Sequence, residues 1–304
     1  MNNQPSSFIV EHSQCDRSVN HILPTEDGGM LECRFVQRTD NYFIIYVSSH
    51  TGCNKSCRFC HLTATKQTMM RDATFSDYLA QVQEVLHTYQ QRRKEGLPAV
   101  SKIHVNFMSR GEALANQVLL HQGKELFLAM EKMINEVEPK AEVHFLVSSI
   151  IPSEFSQDLK TVLNHPRAYL YYSLYSLNPM FRKRWVPKAM DPYKALDLLQ
   201  DYQQETKQRV VLHWAFIAGQ NDQEEDVNHI IEEVLKRDLK VKFNLVRYNP
   251  HDLRHGEETK ESVLQERFDA LKKAFGDEES RIVPRVGMDV KASCGMFVDP
   301  KEGT

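Results

Sequence analysis

From residue 42 onward, short segments rich in β-branched and aromatic residues alternate with longer amphipathic ones, and this alternation narrows the chain to few folds. The short segments, at 42–48, 103–108, 143–148, 169–174, 210–217, 241–248 and 281–285, predict strands. The long ones, at about 75–94, 117–137, 153–164, 191–205, 223–237 and 261–275, predict helices. Repeated βα units build a parallel sheet. About six repeats suffice for a barrel or an open partial barrel, and either places its ligands at the C-terminal ends of the strands. At 304 residues and 41% hydrophobic, the chain can bury the core of one such α/β domain with small extensions.

Residues 1–30 are polar and carry Pro and Gly-Gly, so they are expected to form an N-terminal extension. "MLECRFVQ" and "NYFIIYVSS", joined by "RTD", then read as a β-hairpin that opens a core running from 31 to 297, with 298–304 as a tail. No basic segment is followed by an apolar stretch of signal-peptide length, and no window approaches the roughly 20 apolar residues of a membrane span. A soluble cytoplasmic protein with no membrane contact is expected. The formal charge of -3 gives no global basic field. Contact with nucleic acid would have to use local patches such as "QRRK" (91–94) and "RKRW" (182–185), with Trp185 available for stacking.

The hairpin's second strand runs into "SSHTGCNKSCRFCH", which places Cys53, Cys57 and Cys60 within eight positions of a chain that has six cysteines. Secreted disulfide scaffolds spread their cysteines, whereas clusters like this bind metal in a reducing compartment. Three thiolates cannot complete a four-thiolate shell. Either a fourth ligand joins them, such as His50 or His61 in a zinc knuckle, or one metal position stays open. Zinc pairs usually have a matching second pair downstream, and the chain has no second CxxC.

The spacing in "CNKSCRFC", directly after the first strand of a βα series, resembles the radical S-adenosylmethionine (SAM) superfamily. Its [4Fe-4S] cluster is held by three cysteines and leaves one iron for the amine and carboxylate of SAM. From about residue 30 to 297 the chain is more narrowly similar to the RlmN/Cfr family, which methylates carbon 2 or carbon 8 of adenine in RNA. That resemblance implies a partial (β/α)6 barrel in which Cys53, Cys57 and Cys60 hold the cluster. Gly111 and Glu112 of "FMSRGEALAN" would contact SAM, although Ala113 replaces the usual proline. Ser148 of "LVSSIIP", Ser173 of "YYSLYSLNP", where Tyr175 replaces a usual histidine, and Asn249 of "VRYNP" would complete the SAM site.

Cys294 of "VGMDVKASCGMF" matches the cysteine that is methylated by one SAM before a second, reductively cleaved SAM activates the methyl group for addition to the base. Glu32 of "MLECRF" matches the family's carboxylate base. An electron donor such as flavodoxin or ferredoxin is implied. Two features depart from the family. Only about 30 polar residues precede the hairpin, where relatives carry an accessory domain implicated in RNA engagement. Tyr46 also stands where RlmN-like enzymes place a second cysteine that resolves the adduct. Cys33 and Cys15 are the alternative thiols. A tight turn through Thr39 and Asp40 would set Cys33 opposite Tyr46, and one more loop residue would put Glu32 there instead.

Overall fold

The computed structural model describes residues 8–300. Its chain order is β1 (Ile9–His12), β2 (Val19–Pro24), β3 (Met30–Thr39), β4 (Tyr42–Tyr46), α1 (His61–Ala64), α2 (Phe75–Lys94), β5 (Lys102–Phe107), α3 (Gln117–Val137) and β6 (Glu142–Ser149). There follow α4 (Leu159–Val162), β7 (Ala168–Tyr172), α5 (Pro179–Trp185), α6 (Pro192–Thr206), β8 (Val210–Trp214), α7 (Glu224–Lys236), β9 (Val241–Val246), α8 (Glu261–Phe275) and β10 (Arg281–Val283). All ten strands form one sheet in sequence order. β1 to β4 pair antiparallel, and β4 to β10 pair parallel. Sequential parallel order with helical crossovers is that of a partial barrel, the expected α/β architecture.

Local chemistry sets the helix starts. Thr74 and Asp77 form a reciprocal capping box at α2, and the Asn116 side chain accepts the Leu119 N–H at α3. Asp191 caps α6, whose first residue is Pro192, where proline's missing N–H costs nothing. Strand alternation then sorts β4: Phe43 and Ile45 join the core, and Phe43 stacks between Phe35 and Tyr89 at 5.0 and 4.6 Å. Tyr42, Ile44 and Tyr46 point the other way, and the latter two line the cleft inside the sheet.

Three expectations change. Residues 9–12 and 19–24 are strands of the main sheet and not an extension outside the core, because Val19 to Ile22 are buried beside β3. The expected helix over 153–164 is one turn, Leu159–Val162, started by the Asp158 cap. In the hairpin, Arg34 and neither Cys33 nor Glu32 lies opposite Tyr46, because an irregularity between Val36 and Thr39 shifts the ladder. Among the described residues no helix is long and apolar enough to cross a membrane.

Candidate active site

The loop after β4 is held to its neighbours by backbone bonds. Ser49 N–H donates to Arg110 C=O at 2.8 Å, Thr51 N–H to Arg71 C=O at 3.0 Å and Cys53 N–H to Gln67 C=O at 3.0 Å. At Gly52 any side chain would sit 2.0 Å from the Met69 carbonyl, so this close approach requires glycine. The loop delivers Cys53, Cys57 and Cys60, all free thiols, to one cleft at the C-terminal ends of the strands. Burial pushes Cys53 up to about 11 and Cys60 up to about 12, and raises Cys57 well above the usual thiol range. The neighbouring thiols add to the shift, so a bound cationic group would favour the thiolate forms.

Two backbone donors hold Glu112 in the loop after β5: Leu114 N–H at 3.1 Å and Ile150 N–H at 3.3 Å. Burial still raises its carboxyl, which makes a cationic ligand a favourable partner. Ser148 and Ser173 meet at 3.4 Å across β6 and the strand end that follows β7. Asn249 donates to the Cys294 carbonyl at 2.8 Å and to Ser293 Oγ at 3.2 Å, while its Oδ1 is buried without a partner.

The segment around Cys294 is clamped over this loop. Gly295 C=O accepts the His61 N–H at 3.0 Å. The Arg34 guanidinium donates to Ser293 C=O at 3.4 Å and Met296 C=O at 2.7 Å, one on each side of Cys294. Cys294 itself is exposed to the cleft. The surrounding walls raise its thiol, and Arg34 and Arg38 pull it back down. Phe59, just before Cys60, stacks on Tyr175 at 4.3 Å, and the stack continues through Phe181 to Trp185.

No family model matches the chain. It is 29% identical over 301 residues to a "probable dual-specificity RNA methyltransferase RlmN" of Synechococcus elongatus, covering 96% of this chain and 76% of that one. It is 25% identical over 306 residues to the "dual-specificity RNA methyltransferase RlmN" of Lawsonia intracellularis, covering 97% and 79%. Among solved structures, a radical SAM methyltransferase from Sphaerobacter thermophilus shares the fold with a TM-score of 0.71 at 20% identity, covering 96% of this chain and 81% of that one. The chain is thus similar along almost its whole length to RlmN-type radical SAM methyltransferases.

Radical SAM proteins hold a [4Fe-4S] cluster and SAM, and this cleft fits both. Among the described residues no three His, Cys, Asp or Glu side chains are arranged to hold a single metal ion, whereas in a cluster each thiolate binds its own iron. The zinc alternative lacks its fourth ligand. His50 Nδ1 contacts Ser49 Oγ at 3.0 Å, its Nε2 lies 3.3 Å from Asp72, and His61 Nε2–H donates to Asn249 C=O at 3.2 Å. For SAM, the buried Glu112 carboxylate and the unpartnered Asn249 Oδ1 offer two acceptors to its ammonium group.

Thus Cys53, Cys57, Cys60, Gly111, Glu112, Ser148, Ser173, Asn249 and Cys294 all line one cleft of this RlmN-like fold. Gly111 has a second, structural reason to be glycine, since at φ +98° its Cβ would lie 2.4 Å from His50 Nδ1. Glu32 does not line the cleft. It is fully buried, accepts from Arg110 at 2.7 Å, Arg34 at 3.0 Å, Asn20 at 3.1 Å and the Val298 N–H at 3.1 Å. Burial opposes its ionisation, but the two arginines outweigh it and keep the carboxyl below the ordinary glutamate value. Each of its oxygens is thus already engaged by an arginine.

Cys33 faces the helix-covered side with Leu31 and Phe35. Trp185 is buried, with Nε1–H donating to Gln220 at 3.2 Å, and cannot stack on a base. Sequence reasoning missed Arg34 and Arg38. The one available signal was that Arg34 shares a strand face with Glu32, a pattern that becomes informative only once the register is known.

Proposed function

We propose that the protein transfers a methyl-derived carbon, carried on Cys294, to carbon 2 or carbon 8 of an adenine in RNA. The observation that supports this most is the pinning of Cys294, open to the cleft, above the three-thiol loop by Arg34, Asn249 and His61. Ring carbons of adenine are poor nucleophiles toward a methyl sulfonium, so transfer needs radical chemistry, which the cluster supplies by reductive cleavage of SAM. An external one-electron donor such as flavodoxin or ferredoxin provides the electron.

The chain's own residues position and seal. Cys53, Cys57 and Cys60 hold the cluster, and Glu112 and Asn249, with Ser148 and Ser173, orient SAM. Phe59 and Tyr175 close the wall behind the thiols and limit water. With Glu32 locked between arginines, the ring proton must leave through another group. Tyr46 lines the cleft and touches Arg38, which places a phenol where relatives use a thiol. The test is anaerobic reconstitution followed by mass spectrometry of the protein and of nucleosides from cells with and without the gene. Iron loading, methylated Cys294 and a gene-dependent methyladenosine support the reading. A colourless protein with one zinc rejects it.

A further inference from the structure

The interior of a closed α/β barrel is ordinarily a packed core of Val, Ile and Leu layers. Here a layer in the C-terminal halves of the strands, one step before the loops that carry Glu112 and Asn249, is polar and lines the same cleft. Tyr46 pairs in register with Asn106, and His213 with Asn244. Tyr171 meets His213 edge to face at 5.9 Å. All five line the cleft. Asn106 and Asn244 are only 4% and 3% exposed, yet Oδ1 of each and Nδ1 of His213 have no hydrogen-bond partner among the described residues. The Asn106 amide nitrogen reaches only the Met108 sulfur, at 3.7 Å.

A buried carboxamide left unpaired costs about 1–3 kcal/mol, and leucine would fill the same space without that cost. The polarity therefore serves what enters the cleft. Burial holds His213 down to about 4, so its ring is neutral at pH 7 and offers no charge to an anion. A carboxamide presents an acceptor beside a donor, which complements the edge of adenine where the exocyclic amino group adjoins a ring nitrogen.

We infer that Asn106 and Asn244 read the target base, receiving the amino-bearing edge of adenine on the cleft side of the Tyr171–His213 pair. This rests on the adenine reading above and deepens it to a receptor. The test is calorimetric titration of the anaerobic full-length protein, loaded with SAM but given no reductant. The probes are adenosine 5′-monophosphate and purine riboside 5′-monophosphate, which lacks the amino group.

The adenine nucleotide should bind about tenfold tighter, the discrimination a lost paired contact gives. Asn106→Leu and Asn244→Leu should erase that preference and leave SAM affinity unchanged, while melting temperature rises as an unpaired amide is replaced. Asn244→Asp, which keeps the shape and removes the donor, should erase it too. Equal binding of the two probes by the unmodified protein, a preference that survives in the variants, or a parallel loss of SAM affinity would overturn the assignment. Variants that lose the preference in a chain that never methylates Cys294 would uphold the receptor and reject the methyl-transfer reading. Methylated Cys294 with no base preference would reject the receptor alone.

Discussion

Glu112 and Glu32 are both buried carboxylates, and their surroundings give them opposite roles. Glu112 has no arginine or lysine in a hydrogen bond with it, only neutral donors from the Leu114 and Ile150 backbone and the Ser149 side chain, so it retains capacity for a cationic ligand. Glu112→Gln should weaken SAM binding about tenfold or more while iron content stays constant, because a charge-assisted contact is lost. Equilibrium binding of SAM checks this, and an unchanged affinity would reject the role. Glu32 is consumed by its partners. Glu32→Gln should lower stability by about 3–5 kcal/mol, since it leaves Arg110 and Arg34 buried without their carboxylate, and denaturant unfolding measures the loss. A variant of normal stability that fails only in turnover would restore the base role. Cys33 sits in the core, so Cys33→Ala should still turn over, whereas Tyr46→Phe should slow product release. A covalent complex accumulating in Cys33→Ala would contradict this.

The long helices and the parallel strands were legible in the sequence because each carries its own periodicity and caps, as Thr74 with Asp77 and Asn116 show, whereas the short α4 and α5 were not. The cysteine loop was legible for the same local reason, since three thiols within eight residues carry their spacing in the chain. What could not be read was relational. The hairpin register depends on an irregularity between Val36 and Thr39, and it decides that Arg34 lies opposite Tyr46. Residues 19–22 are buried once β2 pairs beside β3, and Trp185 is buried against Phe181 with Gln220 from a distant turn accepting its N–H. In the loop itself, Cys57→Ala should abolish iron loading and SAM cleavage together, because two thiolates do not hold the cluster. Iron analysis and 5′-deoxyadenosine formation test it, and full cleavage by the variant would refute the assignment.

Across the whole molecule, the first strands and the last segment are tied together. Ser13 and the Gln14 N–H donate to Asp289, Asn20 to Val290 C=O, and Arg34 to the carbonyls flanking Cys294. The active site is therefore only as stable as the fold. Burial holds His21, His50, His61 and His213 down to about 4 and His104 to about 3. Below about pH 6.5 the unfolded chain takes up protons that the folded chain refuses, so stability is complete above that pH and falls as the pH drops toward 4. A melting temperature that stays flat across this window would contradict those burials. The most direct test of the central claim is to incubate the reconstituted protein with SAM carrying a deuterated methyl group and to map the label by peptide mass spectrometry. The account predicts one labelled methyl group on Cys294, absent in Cys294→Ala even though that variant still cleaves SAM. Label on another residue, or a labelled base made by Cys294→Ala, would contradict it.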